Sequence, residues 1–215
     1  NAWGHFMLGL SAWKSGDPKK AETAFNESLR IDPKHLKSLV NLSRVLIEQE
    51  RFDDAIEKLT RAESIDPNSV DTRRMLGRAY AAKGEVDKAV DSYRHAITLD
   101  EKDAWSMNNL GLLFLEQQRY EEALPLLARA VELRKDVPAF SNNLGMALEH
   151  TGHFTAAKEA YNGALNADPG YDRAQKNLTR VENVKTKSEE PFDLEATAKR
   201  FEEQKVPADE TVEGQ

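Results

Sequence analysis

Apolar and small residues recur along this chain at one fixed interval. A leucine returns every 34 residues, at Leu8, Leu42, Leu76, Leu110, Leu144 and Leu178. Directly behind it stands a small residue: Gly9, Ser43, Gly77, Gly111 and Gly145. Later in each period come Ala21, Ala55, Ala89, Ala123 and Ala157, then Phe25, Leu59, Tyr93, Leu127 and Tyr161. A second small series follows at Ser28, Ala62, Ala96, Ala130 and Ala164. The periods close at Asp32-Pro33, Asp66-Pro67, Asp100-Glu101, Lys135-Asp136 and Asp168-Pro169. Within one period, Val70–Asp103, the apolar positions fall at helical spacing on either side of Gly84, which predicts two helices joined by a turn. Six series held in register identify an internal repeat.

The residue types explain the register. A small residue beside the leucine marks a point of close approach on the first helix. The Phe, Tyr or Leu of the second helix fills the space opposite, and the alanines let the two helices come together. One such pair buries too little apolar surface to stand alone, so copies must stack into a continuous core.

With Leu76-Gly77, Tyr80, Ala89 and Tyr93 in this order and spacing, the chain resembles the tetratricopeptide repeat family over residues 2–171. The resemblance implies an all-α fold, a right-handed superhelical solenoid of antiparallel helix pairs. In the family's frame the repeats run 2–35, 36–69, 70–103, 104–137 and 138–171, each with a first helix A and a second helix B. Residues 172–185 keep the leucine phase through Leu178 but are otherwise polar, as a terminal capping helix must be. Residues 1–185 are thus expected to form one solenoid.

Turn chemistry agrees with this frame. Gly16, Gly84 and Gly152 sit between A and B helices, where a left-handed residue ends a helix at little cost. Asp17-Pro18 suits an N-cap and first helical position, and Pro138 opens helix A of the fifth repeat. Pro125 falls inside helix B of repeat four, where it removes a backbone bond and is expected to bend the helix. Residues 186–215 read as a charged tail, poor in apolar residues and interrupted by Pro191 and Pro207. Within it Leu194, Ala198 and Phe201 share a helical stripe, which predicts a docked helix near 193–204.

Composition narrows the chemistry. The 215 residues carry a formal net charge of −7, which disfavours a general nucleic-acid binder. There is no cysteine, which excludes disulfides, thiolate nucleophiles and cysteine-ligated metal centres, and fits cytoplasm or periplasm equally. No apolar run is long enough to span a membrane, and no signal peptide is visible. The chain opens at Asn1-Ala2-Trp3, inside a helical pattern and without an initiator Met, so it is expected to be part of a longer protein.

In the family that the sequence resembles, A helices line a concave ligand face. Carried onto this chain, the resemblance places Trp3, Phe6, Leu10 and Trp13 on it from repeat one, and Lys37, Arg44, Arg74 and Arg78 from repeats two and three. Repeat four contributes Trp105, Asn108, Leu112 and Leu115, and repeat five Asn142, Met146, Glu149 and His150. The aromatic set of repeat one needs cover, from upstream helices, a ligand, the tail or a second copy. The basic band is either a solvated face or a site for an acidic peptide or a carboxylate. Such a peptide exists in the tail itself, from Ser188 to Glu195. Asn41, Asn109, Asn143 and Asn177 each precede the repeat leucine, and their amides could hold an extended peptide backbone or simply be structural. The family's chaperone-tail clamp is not matched, because Ala139 and Asn143 stand where it needs a lysine and an arginine.

No catalytic constellation emerges. His150 and His153 are two ligands at most, too few for a zinc site, and no phosphate-binding loop or nucleophile motif appears. No cofactor or metal is expected. The sequence reads as a non-catalytic protein-interaction module binding a peptide, acidic in one reading, in the concave groove. Two alternatives stand beside it: a groove filled by its own or a neighbouring chain's tail, and an assembly subunit that self-associates through Trp3, Phe6 and Trp13.

Overall fold

The computed structural model describes residues 1–184 and 192–203, and among them all regular structure is helical. Five helix pairs follow the repeat frame. They are α1 (Ala2–Lys14) with α2 (Pro18–Ile31), α3 (Leu36–Glu48) with α4 (Phe52–Ile65), α5 (Val70–Lys83) with α6 (Val86–Leu99), α7 (Ala104–Glu116) with α8 (Tyr120–Leu133), and α9 (Pro138–His150) with α10 (Phe154–Ala167). α11 (Asp172–Glu182) and α12 (Leu194–Glu203) complete the described chain. None of these helices is long and apolar enough to cross a membrane.

The chain divides into two compact units, Asn1–Ser106 and the residues from Met107 onward. The division falls inside α7, within the span 1–185 expected as one solenoid. In the first unit α2 packs on α3 and α4 on α5, and the first helices α1, α3 and α5 lie side by side. In the second, α8 packs on α9, α10 on α11, and α9 also meets α11.

Each pair closes at the small residue of its first helix. A Cβ on Gly77 would stand 2.6 Å from Cδ1 of Tyr93, and one on Gly145 would stand 2.5 Å from Cε1 of Tyr161. Gly111 meets Leu127 in the same way. Repeat two carries Ser43 there, and its hydroxyl donates to the Leu39 carbonyl at 2.8 Å within its own helix. The leucine series fills the core: Leu42, Leu76, Leu110, Leu144 and Leu178 are at most 7% exposed, but Leu8 in repeat one is 45% exposed.

Local chemistry sets the ends. Asp17 Oδ1 accepts from the Lys20 amide at 3.0 Å, and Pro18 is the first residue of α2. The A–B turns place Gly16, Gly84 and Gly152 at positive φ. Glu50 and Gln118 occupy the equivalent turn position in repeats two and four, at φ 60° and 58°. Pro125 lies within α8 and is buried.

The described part of the tail is α12. Asp193 caps it, its Oδ1 accepting from the Ala196 amide at 2.8 Å. α12 lies against α8, with Thr197 and Ala198 buried and Phe201 half-buried.

Candidate functional site

In the first unit the neighbouring helices α1, α3 and α5 assemble a face of aromatic and basic side chains. Trp13 on α1 donates from Nε1 to Glu48 Oε2 at 3.0 Å, which fixes its indole across α3. The Arg44 guanidinium then stacks over that ring, 5.1 Å from its centroid. Burial holds the Arg44 pKa below its usual value, and the charges of Arg78 and Arg74 lower it further, against the opposing pull of Asp71. Arg44 is therefore a partly buried cation with two like charges near it.

The three arginines are not equivalent. Arg74 is committed: its guanidinium pairs with Asp71 and, at 2.6 Å, with Oδ1 of Asp103, a carboxylate only 5% exposed. Asp103 Oδ2 in turn accepts from Ser106 Oγ at 2.5 Å. Arg78 is half-buried, and no hydrogen bond or ion pair joins it to a described residue. Nor does Arg44 have a hydrogen-bonded partner among them; its contact is the Trp13 ring. Arg44 and Arg78 are thus the two guanidiniums of this face still able to grip a carboxylate with parallel hydrogen bonds.

The rest of the expected aromatic set separates. Trp3 is 50% exposed with the Lys37 ammonium 5.3 Å above its ring. Phe6, expected on the open face, is 4% exposed and packs against Phe25 and His35, because the inward turn of α1 carries it into the core. The exposed apolar companions of Trp3 are instead Met7 and Leu8. Leu10 and Trp13 are half-buried. The Asn41 amide donates to its own helix, to the Lys37 carbonyl at 2.8 Å. Trp105, on α7, is 44% exposed.

In the second unit the asparagines bind one another. Asn143 Nδ2 donates to Asn108 Oδ1 at 2.9 Å, tying α9 to α7, and Asn177 Nδ2 donates to Asn142 Oδ1 at 2.9 Å, tying α11 to α9. Asn142 is 3% exposed and Asn108 5%, so these amides act chiefly as staples between first helices. The expected series ran Asn41, Asn109, Asn143 and Asn177, but the bonded pairs combine it with Asn108 and Asn142, one position earlier. A spacing of 35 rather than 34 was the signal to look for. Asn109, Leu112 and Met146 are half-buried, and Leu115 is buried.

Beside this ladder Glu149 collects two donors. Arg180 from α11 grips it with bonds of 2.9 and 2.6 Å, and Tyr161 from α10 donates to Oε2 at 2.8 Å. Burial alone would raise the Glu149 pKa, but the hydrogen bonds from Arg180 and Tyr161 outweigh it and hold the carboxyl below its usual range. Burial and the same bond push the Tyr161 phenol well above its ordinary value.

The two histidines point to packing. His150 stacks on Tyr120 at 4.3 Å and His153 faces Phe192 at 5.1 Å. Among the described residues no three His, Asp or Glu side chains gather as metal ligands would.

Of the tail, the described helix α12 lies on α8, a second helix. Residues 188–191, half of the acidic stretch Ser188–Glu195, lie outside the described residues.

No curated protein matches this sequence. Solved structures do. A thermophilic TPR protein of Thermus thermophilus superposes with a TM-score of 0.74 at 19% identity, covering 86% of this chain and all of that one. PilF of Pseudomonas aeruginosa gives 0.75 at 18%, covering 94% and 89%. The TPR protein YrrB gives 0.58 at 18%, covering 83% and 92%. These likenesses are of fold. The sequence profile described as "Tetratricopeptide repeat" matches residues 6–70 and 108–180, and that described as "TPR repeat" matches 77–118. Helix pairs closed at a small residue, repeated five times and ended by a single polar helix, make the same assignment from the structure: this chain belongs to the tetratricopeptide repeat family.

Proposed function

We propose that the protein is a non-catalytic interaction scaffold that binds an acidic peptide on the first-helix face of residues 1–106. The observation that carries this reading is the pair Arg44 and Arg78. Both are partly buried, both lie in a patch of like charge, and no carboxylate of the described chain pairs with either. Placing cations together at reduced solvation is costly, and an incoming carboxylate would relieve it. Trp13, held by Glu48, offers a flat apolar wall beside them, and Lys37 and Trp3 extend the surface along α1 and α3. Scaffolding between proteins is what repeats of this fold do in general, and one relative of similar fold, YrrB, is described as having a peptide-binding site.

The test uses the tryptophans as reporters. The full chain is titrated with a synthetic peptide of the sequence Ser188–Glu195 while fluorescence of Trp3, Trp13 and Trp105 is followed. Saturable binding that weakens with salt and is lost in Arg78→Glu supports the reading; binding unaffected by Arg78→Glu and Arg44→Glu together overturns it.

A further inference from the structure

Repeat five is hollow where the other repeats are filled. The fourth residue of α9 is Ser141, and the fourth residue of the other first helices is His5, Leu39, Arg73 or Met107. Leu39 and Met107 are fully buried, so a side chain at this position fills the core. On α10, Gly163 stands where the other second helices carry Glu27, Arg61, His95 and Arg129. Ala167 stands where they carry Ile31, Ile65, Leu99 and Leu133. Three larger side chains are thus missing from one place, and there an open cavity of about 610 Å³ is lined by Ser141, Gly163 and Ala167 together. That volume is within the roughly 300–1,000 Å³ of small-molecule sites.

The cavity belongs chiefly to α9 and α10. Leu144 and Leu148 are its apolar base, Ala160 and Gly163 its α10 wall, and Phe192 and Leu194 from the tail stand at its edge. α12 itself lies on α8, where Pro125 and Ala128 are buried at positions that hold exposed polar residues in the other second helices. The decisive group is the Ser141 hydroxyl. Ser141 is 4% exposed and lines the cavity, yet no hydrogen bond joins its side chain to a described residue. The other buried serines of the first helices are all satisfied: Ser38 donates to Ser28 Oγ, Ser43 to the Leu39 carbonyl and Ser106 to Asp103. A buried hydroxyl without a partner is unfavourable. Water would satisfy it, but not the leucines beside it.

We propose that this cavity of repeat five binds a small neutral molecule with a flat apolar ring body and one oxygen that hydrogen-bonds the Ser141 hydroxyl. The flat body follows from the wall, since neither Ala160 nor Gly163 has a side chain beyond Cβ to hold a ring away from the helix. Neutrality follows from the charges around the cavity. Asp136 is paired with Arg134 at 2.8 Å, and the remaining two, Lys135 and Glu159, are of opposite sign. No net charge is left to fix an ionic head group. The site is separate from the peptide face of residues 1–106 and does not rest on it.

The experiment is equilibrium dialysis of the full chain against β-naphthol, a neutral fused ring with one hydroxyl, and against naphthalene, the same ring without it. β-Naphthol should bind saturably at one site per chain and several-fold tighter than naphthalene. Ser141→Ala should remove that difference and leave the binding of naphthalene in place. Ser141→Met and Gly163→Arg give repeat five the residue types of Met107 and Arg129, and each should abolish binding of both compounds. A Cβ on Gly163 would lie 3.7 Å from Ser141 Oγ, in ordinary contact, so the arginine enters the space over Ser141 without a clash. Both variants should keep the helical circular dichroism and melt no earlier than the unaltered chain. Arg78→Glu should leave binding of β-naphthol unchanged. The proposal is overturned if β-naphthol does not bind saturably, if naphthalene binds the unaltered chain equally well, or if folded Ser141→Met and Gly163→Arg chains still bind.

Discussion

Tyr161 donates its hydroxyl to Glu149 Oε2 at 2.8 Å, and the same oxygen receives Arg180 at 2.6 Å. One buried phenol, one carboxylate and one guanidinium thereby join α10, α9 and α11, the last three helices of the repeat array. A hydrogen bond to a charged group contributes about 1.5–3 kcal/mol, so Tyr161→Phe is expected to destabilise by that amount at neutral pH in urea unfolding.

The pH dependence of this triad follows in sign. The folded-state pKa of Tyr161 is raised above 10.0, so its contribution is complete below pH 10 and is lost as pH climbs beyond it. The Glu149 pKa is depressed below 4.5, so its contribution is present above that value and is lost as pH falls through the depressed one. Thermal unfolding of the unaltered chain should weaken at both ends, and Tyr161→Phe should flatten the alkaline fall. An unchanged alkaline slope would show that another group governs it.

The contact between Gly77 and Tyr93 tests the packing rule of the repeat. On an open helix surface Gly→Ala would stabilise by about 1 kcal/mol through propensity. Here the new methyl would stand 2.6 Å from the ring, so Gly77→Ala is expected to destabilise by about 1–3 kcal/mol. The sign alone decides, and chemical denaturation measures it.

Gln118 holds a left-handed turn position that glycine holds in three other repeats. A non-glycine residue there costs roughly 1–2 kcal/mol, part of which a glycine returns as lost chain entropy. Gln118→Gly should therefore raise stability by about 0.5–1 kcal/mol, seen as a higher midpoint in thermal melts.

Arg74 and Arg78 should separate stability from binding. Arg74→Ala strands the buried Asp103 carboxylate and is expected to cost roughly 3 kcal/mol. Arg78→Ala breaks no ion pair among the described residues, so it should leave the melting temperature within about a degree while weakening the acidic peptide. The reverse pattern would move the binding role to Arg74.

The sequence by itself determined the repeat, its register and its turns. Leu76, Gly77, Ala89 and Tyr93 recur because each must meet the same partner in every copy, and a requirement repeated five times becomes legible as a period. The same logic marked Gly16, Gly84 and Gly152, whose conformation is a property of the local backbone. Positions that do not repeat were decided only by the tertiary structure. Whether Arg78 is free and Arg74 spent depends on Asp103, a carboxylate 29 residues from Arg74 that the chain folds back to it. Phe6 reads like Trp3 along the helix, yet one ring is in the core and the other half in water, since α2 and the turn before α3 cover one side of α1. The asparagines show both levels at once: their presence before four of the six repeat leucines is visible in the sequence, but the bonds from Asn143 to Asn108 and from Asn177 to Asn142 arise from how far one repeat is offset against the next. Pro125 and Ala128 broke the polar pattern of the second helices in plain view. Their meaning waited on α12, because an exposed position turns apolar only when something else in three dimensions comes to cover it.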